Sequence, residues 1–221
     1  MHIVVYSHGF GVRRDDRGLF TDIAAALPST THRMFDYNQV DEAANTMTVE
    51  PLEAQAQKLL GVIGNMQREH PSAAIDLICH SQGCVVAALA HPTGIRKSIF
   101  IAPPKGMLDT ERRIKEICAQ HGIAFTQEDV IRLPRRDGST TIIPPAYWRA
   151  PGGLDAQDMY STFAEITDLT IITATEDEVL GVVVFDRLSP RVKLLPMTAG
   201  HNFEGPARPE LVDIITGELK V

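Results

Sequence analysis

The stretch "IDLICHSQGCVVAALA", Ile75 to Ala90, decides how the rest of the chain is read. An apolar, β-branched run ends at Cys79. His80, Ser81 and Gln82 then stand between the small residues Cys79 and Gly83, and a helix-forming run begins. Apolar runs of this kind read as fully buried strands. A polar serine on the tight turn between two buried elements is either a helix cap or a residue presented by a sharp strand-to-helix turn, in which only small neighbours fit. Gly83 meets that demand. Cys79 stands where such turns usually carry glycine, and the expectation is a somewhat crowded turn.

Outward from this stretch the same rhythm repeats. "HIVVYS" is a buried strand, followed by the loop "HGFGVRRDDRG" and by "LFTDIAAALP", whose Leu19, Phe20, Ile23, Ala24 and Leu27 share a helical face that Pro28 ends. "HRMFDY" predicts a second strand. "EPLEAQAQKLLGVIGNMQREH" predicts a long amphipathic helix with Pro51 in its first turn and Thr48 as a cap. "AIDLICH", "QGCVVAALA" and "KSIFIAPP" continue as strand, helix, strand. This alternation implies an α/β fold, a parallel sheet covered by helices on both faces.

The rhythm breaks between about residues 105 and 168, which predicts an insertion. "DTERRIKEICAQHG" reads as a helix ending at Gly122, and Asp137-Gly138 within "VIRLPRRDGSTTIIP" as a hairpin turn. "PPAYWRAPGG" then leads into a short helix over about residues 156–166. The strands "LTIITAT" and "RVKLLPMT" follow, joined by a compact segment whose "GVVVFDRL" is open to helix or strand. The expected division is a core of residues 1–104 and 169–221 with a lid of residues 105–168.

Composition narrows the function. With 44% hydrophobic and 22% charged residues in 221, the chain is an ordinary globular one that can bury a sizeable core. The net charge is −7, from 21 basic and 28 acidic residues, and the pairs Arg13–Arg14 and Arg135–Arg136 are the local basic clusters. That argues against nucleic-acid partners. Neither a signal peptide nor a membrane-spanning run is expected, and three cysteines, at 79, 84 and 118, give no disulfide framework or zinc spacing. The expectation is a cytoplasmic protein with reduced thiols, no metal and no cofactor; oligomeric state is not legible.

Three polar loops stand at the carboxyl ends of predicted parallel strands, where open α/β sheets place their sites. Ser81 occupies one. A serine hydroxyl becomes a nucleophile only beside a base that a carboxylate orients. "TEDEV" offers Glu176, Asp177 and Glu178; Asp177 is preferred as a short carboxylate followed two residues on by the apolar Val179, with either glutamate as an alternative. "AGHNF" offers His201, alone among the eight histidines in lying just beyond a late buried strand beside a glycine. His80 is expected to pack structurally, and His2, His32, His70, His91 and His121 to lie at the surface. Arg13, Arg14, Asp15 and Asp16 are expected to form a solvated, mutually paired cluster.

"YSHGFG", "CHSQGC", "TEDEV" and "GHNF", in this order, resemble the α/β-hydrolase superfamily. The resemblance covers the chain apart from the insertion. It implies a reduced, mostly parallel sheet of about six strands, lacking the usual first antiparallel hairpin. It also implies a serine hydrolase in which Ser81 attacks a carbonyl, His201 carries the proton and Asp177 orients His201, with the backbone amides of Phe10 and Gln82 as oxyanion donors. "HSQGCVVA" with a helix-and-hairpin insertion is further similar to bacterial cinnamoyl and feruloyl esterases. On that likeness, His8, Gly9, Phe10, Tyr147 and Trp148 are candidates for a pocket taking small to medium, including aromatic, acyl groups; the alternative for Tyr147 and Trp148 is the insertion's own small core. The expected activity is carboxylic ester hydrolysis on a small-molecule substrate. Amide, thioester or carbon–carbon cleavage, and a non-catalytic binding protein on the same fold, are the other readings; a thiol enzyme using Cys79 or Cys84 is disfavoured because neither holds the apex of the turn.

Overall fold

Successive side chains of a strand point to opposite faces, so the apolar first strand supplies one set to each side of a sheet. In β1 (His2–Ser7), Ile3 and Val5 enter one apolar cluster, whereas Val4 and Tyr6 enter the other. The computed structural model describes residues 1–135, 137–149 and 155–220, the side chains of residues 107–109 excepted. Arg136 and the "APGG" of residues 150–153 therefore lie outside the described residues.

After β1 come α1 (Leu19–Ala25), β2 (Thr31–Arg33), β3 (Gln39–Asp41), β4 (Thr46–Thr48) and α2 (Leu52–Glu69). The central stretch folds as β5 (Ala74–His80) and α3 (Gln82–Ala90), with Ser81 alone between them. β6 (Lys97–Ile101), α4 (Met107–Gln120), β7 (Ile131–Pro134), β8 (Thr140–Ile143), a single 3-10 turn (Pro145–Arg149) and α5 (Ala156–Phe163) follow. The chain closes with β9 (Asp168–Ala174), β10 (Lys193–Met197) and α6 (Ala207–Leu219).

Six strands form one sheet in the order β10-β9-β6-β5-β1-β2, and every neighbouring pair is parallel. The expected reduced sheet is thus wholly parallel. Side chains of α2, α3 and α5 pack on one face, those of α1 and α6 on the other. From β1 the chain first moves outward to β2, then returns to place β5 on the opposite side of β1. A crevice opens between strand ends where the winding reverses in this way, and here it lies beyond Ser7 and His80.

Several local expectations are corrected. The second strand ends at Arg33, with Phe35 and Tyr37 buried beyond it in irregular chain. Thr48 belongs to β4, and α2 starts after Pro51 with no side-chain cap. "GVVVFDRL" is neither helix nor strand; Val182 and Val184 are exposed, so no apolar face demands a regular element. The predicted hairpin forms as β7 and β8, but it does not stand alone. It joins β3 and β4 in a second sheet, β3-β4-β8-β7, with β4 and β8 parallel. Residues 39–48 and the helix α6 have no counterpart in the sequence reading.

Candidate active site

Ser81 takes φ 52° and ψ −124°, a positive-φ conformation outside the regions open to most L-residues, and this strain of about 1–3 kcal/mol is held by its surroundings. Its N–H donates to the Ile101 carbonyl at 2.8 Å, and its carbonyl accepts from Cys84 N at 3.0 Å. Gly83 permits the turn. A Cβ there would lie 2.1 Å from the Ser7 carbonyl oxygen and 2.8 Å from that of His8, so α3 can approach β1 only without a side chain. Cys79 is the penultimate residue of β5, fully buried in the cluster beneath α2 and α3. Burial pushes the Cys79 and Cys84 thiols well up, away from the reactive thiolate.

The two late-chain expectations, Asp177 and His201, converge on this serine. Ser81 Oγ lies 2.9 Å from His201 Nε2, and His201 Nδ1 lies 2.7 Å from Asp177 Oδ2. Asp177 Oδ1 accepts the N–H groups of Val179 and Leu180 at 2.9 and 2.7 Å, which fixes the carboxylate. Of the three acids, Asp177 is the buried one, whereas Glu176 and Glu178 are exposed. Glu178 acts on the backbone instead, accepting His201 N–H at 3.0 Å; a Cβ at Gly200 would meet its carboxylate at 2.7 Å. Burial alone would raise the Asp177 pKa, but the bond and charge of His201 outweigh it and hold it below the usual value. The His201 pKa is lowered, chiefly by burial, with the charge of His80 adding to the effect and Asp177 opposing it.

The glycine-rich loop after β1 folds against the turn. A Cβ on Gly9 would sit 3.3 Å from Ser81 Cβ. Gly9 N–H donates to Asp16 Oδ2 at 2.8 Å; among the described residues the Phe10 and Gln82 amides make no hydrogen bond, and both residues line the cavity. Gln82 is tied through its side chain, whose oxygen accepts from the Tyr147 hydroxyl and whose Nε2 donates to Gln55 Oε1 at 3.2 Å.

A cavity of about 610 Å³ opens beside Ser81 and His201. Gly9 and Phe10 line it, as expected. His8, Tyr147 and Trp148 do not: His8 is buried under the loop, bonded to Tyr37 N and the Gly9 carbonyl, and Tyr147 is wholly buried with Trp148 packed on it. An aromatic pair on a short 3-10 turn is consumed by the core that α4, β7 and β8 need. The wall is instead Ile114 and Ile117 of α4, Leu133 of β7, and Val179 and Leu180 after β9. The helical spacing of Ile114 and Ile117 is the signal that could have found them.

Asp16 also departs from expectation. Rather than joining a solvated cluster, it is 2% exposed, and its Oδ2 lies 2.9 Å from His80 Nδ1. Arg13 pairs with Glu42 and Asp36, not with its neighbours in sequence. His2 and His32 are half-buried, bonded to Asp76 and to the Tyr6 hydroxyl, rather than free at the surface. Among the described residues no cluster of three or more His, Cys, Asp or Glu side chains could hold a metal ion, and no helix is long and apolar enough to cross a membrane.

By sequence, the chain matches no family model and no curated protein. Solved structures do match. Est1E from Butyrivibrio proteoclasticus, determined with ferulic acid bound, superposes with a TM-score of 0.72 at 18% identity, over 99% of this chain and 89% of that one. The chain has the α/β-hydrolase fold. An esterase of Pyrococcus furiosus shares it at a TM-score of 0.64 and 15% identity, covering 98% of this chain and 79% of that one. So does a thermophilic esterase from Thermogutta terrifontis, at 0.61 and 16%, covering 99% and 89%. In an α/β-hydrolase fold the loops after the first, elbow and late strands meet at one sheet edge, as the loops after β1, β5, β9 and β10 do here.

Proposed function

We propose that the protein is a serine hydrolase that cleaves carboxylic esters of small to medium acyl groups through an acyl-enzyme. The observation that carries this reading is the continuous chain from Asp177 through His201 to Ser81 Oγ, with bonds of 2.7 and 2.9 Å, opening on the cavity of about 610 Å³. In the reaction, His201 Nε2 takes the Ser81 proton as Oγ adds to the ester carbonyl. The negative charge that forms on the carbonyl oxygen meets the Phe10 and Gln82 amides, donors that need no reorganisation at that moment. Collapse expels the alkoxide, which His201 protonates. Water, deprotonated by His201, then attacks the acyl-enzyme and frees the acid and Ser81. Asp177 keeps the Nδ1 proton in place and stabilises the imidazolium.

The substrate class follows from the walls. Ile114, Ile117, Leu133 and Leu180 supply an aliphatic surface, and a cavity of this size suits a small or medium ligand. The roof built from α4 and the second sheet acts as the lid over it, anchored by Tyr147 on Gln82. The ferulic acid in the Est1E structure supports testing aromatic acyl esters as well. The three free, buried cysteines suit a reducing cytoplasm.

A panel of p-nitrophenyl and aromatic esters on the purified protein tests the reading. Ser81→Ala should lower turnover of the best ester by roughly three or more orders of magnitude. A folded Ser81→Ala variant that keeps near wild-type turnover would exclude it. A wild-type protein that hydrolyses none of the panel and resists a fluorophosphonate probe points to a binding protein.

A further inference from the structure

The three buried histidines around Ser81 can be assigned protonation states from their partners. His8 Nε2 accepts the Tyr37 N–H at 2.9 Å while Nδ1 donates to the Gly9 carbonyl, so the ring is neutral. His201 donates from Nδ1 to Asp177, and its Nε2 faces a hydroxyl that can donate to it, so a neutral ring satisfies both partners. His80 is different. Its Nδ1 faces Asp16 Oδ2 at 2.9 Å and its Nε2 faces the His201 backbone carbonyl at 3.1 Å. Both partners are acceptors, and a neutral imidazole has one N–H to give.

Asp16 fits an anion in this pair. Its Oδ2 already takes the Gly9 N–H, and a proton on Oδ1, which is buried without a partner, would have nothing to donate to. The two side chains are 2% and 1% exposed, so water does not screen them. The His80 ring centre lies 5.1 Å from that of His201. We propose that His80 is a buried imidazolium, held by Asp16, which fixes the glycine-rich loop and the His201 loop to the turn and biases His201 toward the neutral base.

The surrounding charges agree with that sign. His80 is faced by Asp16 and Arg17 from the loop after β1 and by His201 from the loop after β10. Burial and Arg17 oppose its charge, but the charge and bond of Asp16 prevail and its pKa is raised. His201 is faced by Asp177 and Glu178 from the loop after β9, by Ser81, and by His80. The carboxylates favour its protonation; burial and the His80 cation oppose it and prevail. His80 touches no reacting atom and is a positioning residue. The activity arm of its test rests on the hydrolase reading, whereas the spectroscopic arm does not.

His80→Gln retains one donor and removes the charge. The acid limb of kcat/KM, set by His201, whose pKa burial and the His80 charge lower, should move up by roughly half to one pH unit. A merely structural role would lower kcat/KM without moving the limb. A limb that stays in place or moves down in a folded variant overturns the proposal. In nitrogen-15 histidine spectra of the wild type, both His80 ring nitrogens should be protonated near neutral pH, and His201 should titrate higher in His80→Gln. An unprotonated His80 nitrogen there overturns the proposal even if the variant does not fold. If no ester is turned over, the spectra still decide it.

Discussion

Placing a methyl group on Gly83 tests the contact on which the site's geometry depends. In Gly83→Ala the new Cβ would begin 2.1 Å from the Ser7 carbonyl oxygen and 2.7 Å from its carbon, both backbone atoms of a fully buried residue at the end of β1. Ordinary contact requires at least 3.4 Å, so β1 and α3 must part by more than an ångström. Overpacking of a tight interior costs about 1–3 kcal/mol. Loss of the 2.9 Å bond from Ser7 Oγ to the Gly83 carbonyl adds about 1 kcal/mol. Alanine's better helix propensity returns about 1 kcal/mol. The net loss of about 1–3 kcal/mol should lower the melting temperature by about 2–12 °C in a chain of this length. Because β1 carries the glycine-rich loop, a shift of that size should also lower kcat about a hundredfold. Gly61→Ala is the control: Gly61 lies exposed in α2 with nothing within 4 Å of its added Cβ, and the change should raise the melting temperature by a few degrees. Calorimetry or far-UV circular dichroism reads both. A Gly83→Ala protein that melts within about 1 °C of the wild type would refute the reasoning.

The acid and the ion pair give two further tests. Asp177→Asn should lower kcat by roughly three to four orders of magnitude, while Glu178→Gln, which alters a backbone contact, should cost less than about tenfold; steady-state kinetics showing equal losses would move the acid to Glu178. Asp16→Asn breaks a buried pair and should cost about 3–5 kcal/mol. Asp16, lowered in the fold, stabilises above its unfolded value of 3.8 and loses this as pH falls through the folded value. His80, raised, stabilises below 6.5 and loses this as pH rises through its folded value. The gap between wild type and Asp16→Asn, measured by denaturant unfolding, should thus be widest between about pH 4 and 6.5. A gap that grows steadily toward alkaline pH contradicts the pairing.

The Ser81 turn was legible because period and punctuation agree there: β5 and α3 begin and end where the apolar run and the small residues place them. Asp177 was distinguishable from Glu176 and Glu178 by its short side chain and the apolar residues that follow it. Asp16 was not legible. Within "RRDD" a carboxylate reads as solvated, and its burial depends on His80, 64 residues away. Tyr147 and Trp148 misled for a related reason, since an aromatic near a site and an aromatic in a core have the same sequence. β3 and β4, at three residues each, are too short to show a period; β3 is fixed by pairing with β4, and β4 by pairing with the distant β8.

The second sheet draws its strands from two distant parts of the chain, 39–48 and 131–143, joined where Met47 pairs with Thr141. The roof over the cavity is therefore not a removable cassette. Splicing out residues 105–168 would strip β4 of its neighbour and leave the β3–β4 hairpin with a bare edge, a template for pairing between molecules. Exchanging roofs among proteins of this fold would have to transplant both segments together, and a shortened chain made by excising one of them would be expected to self-associate.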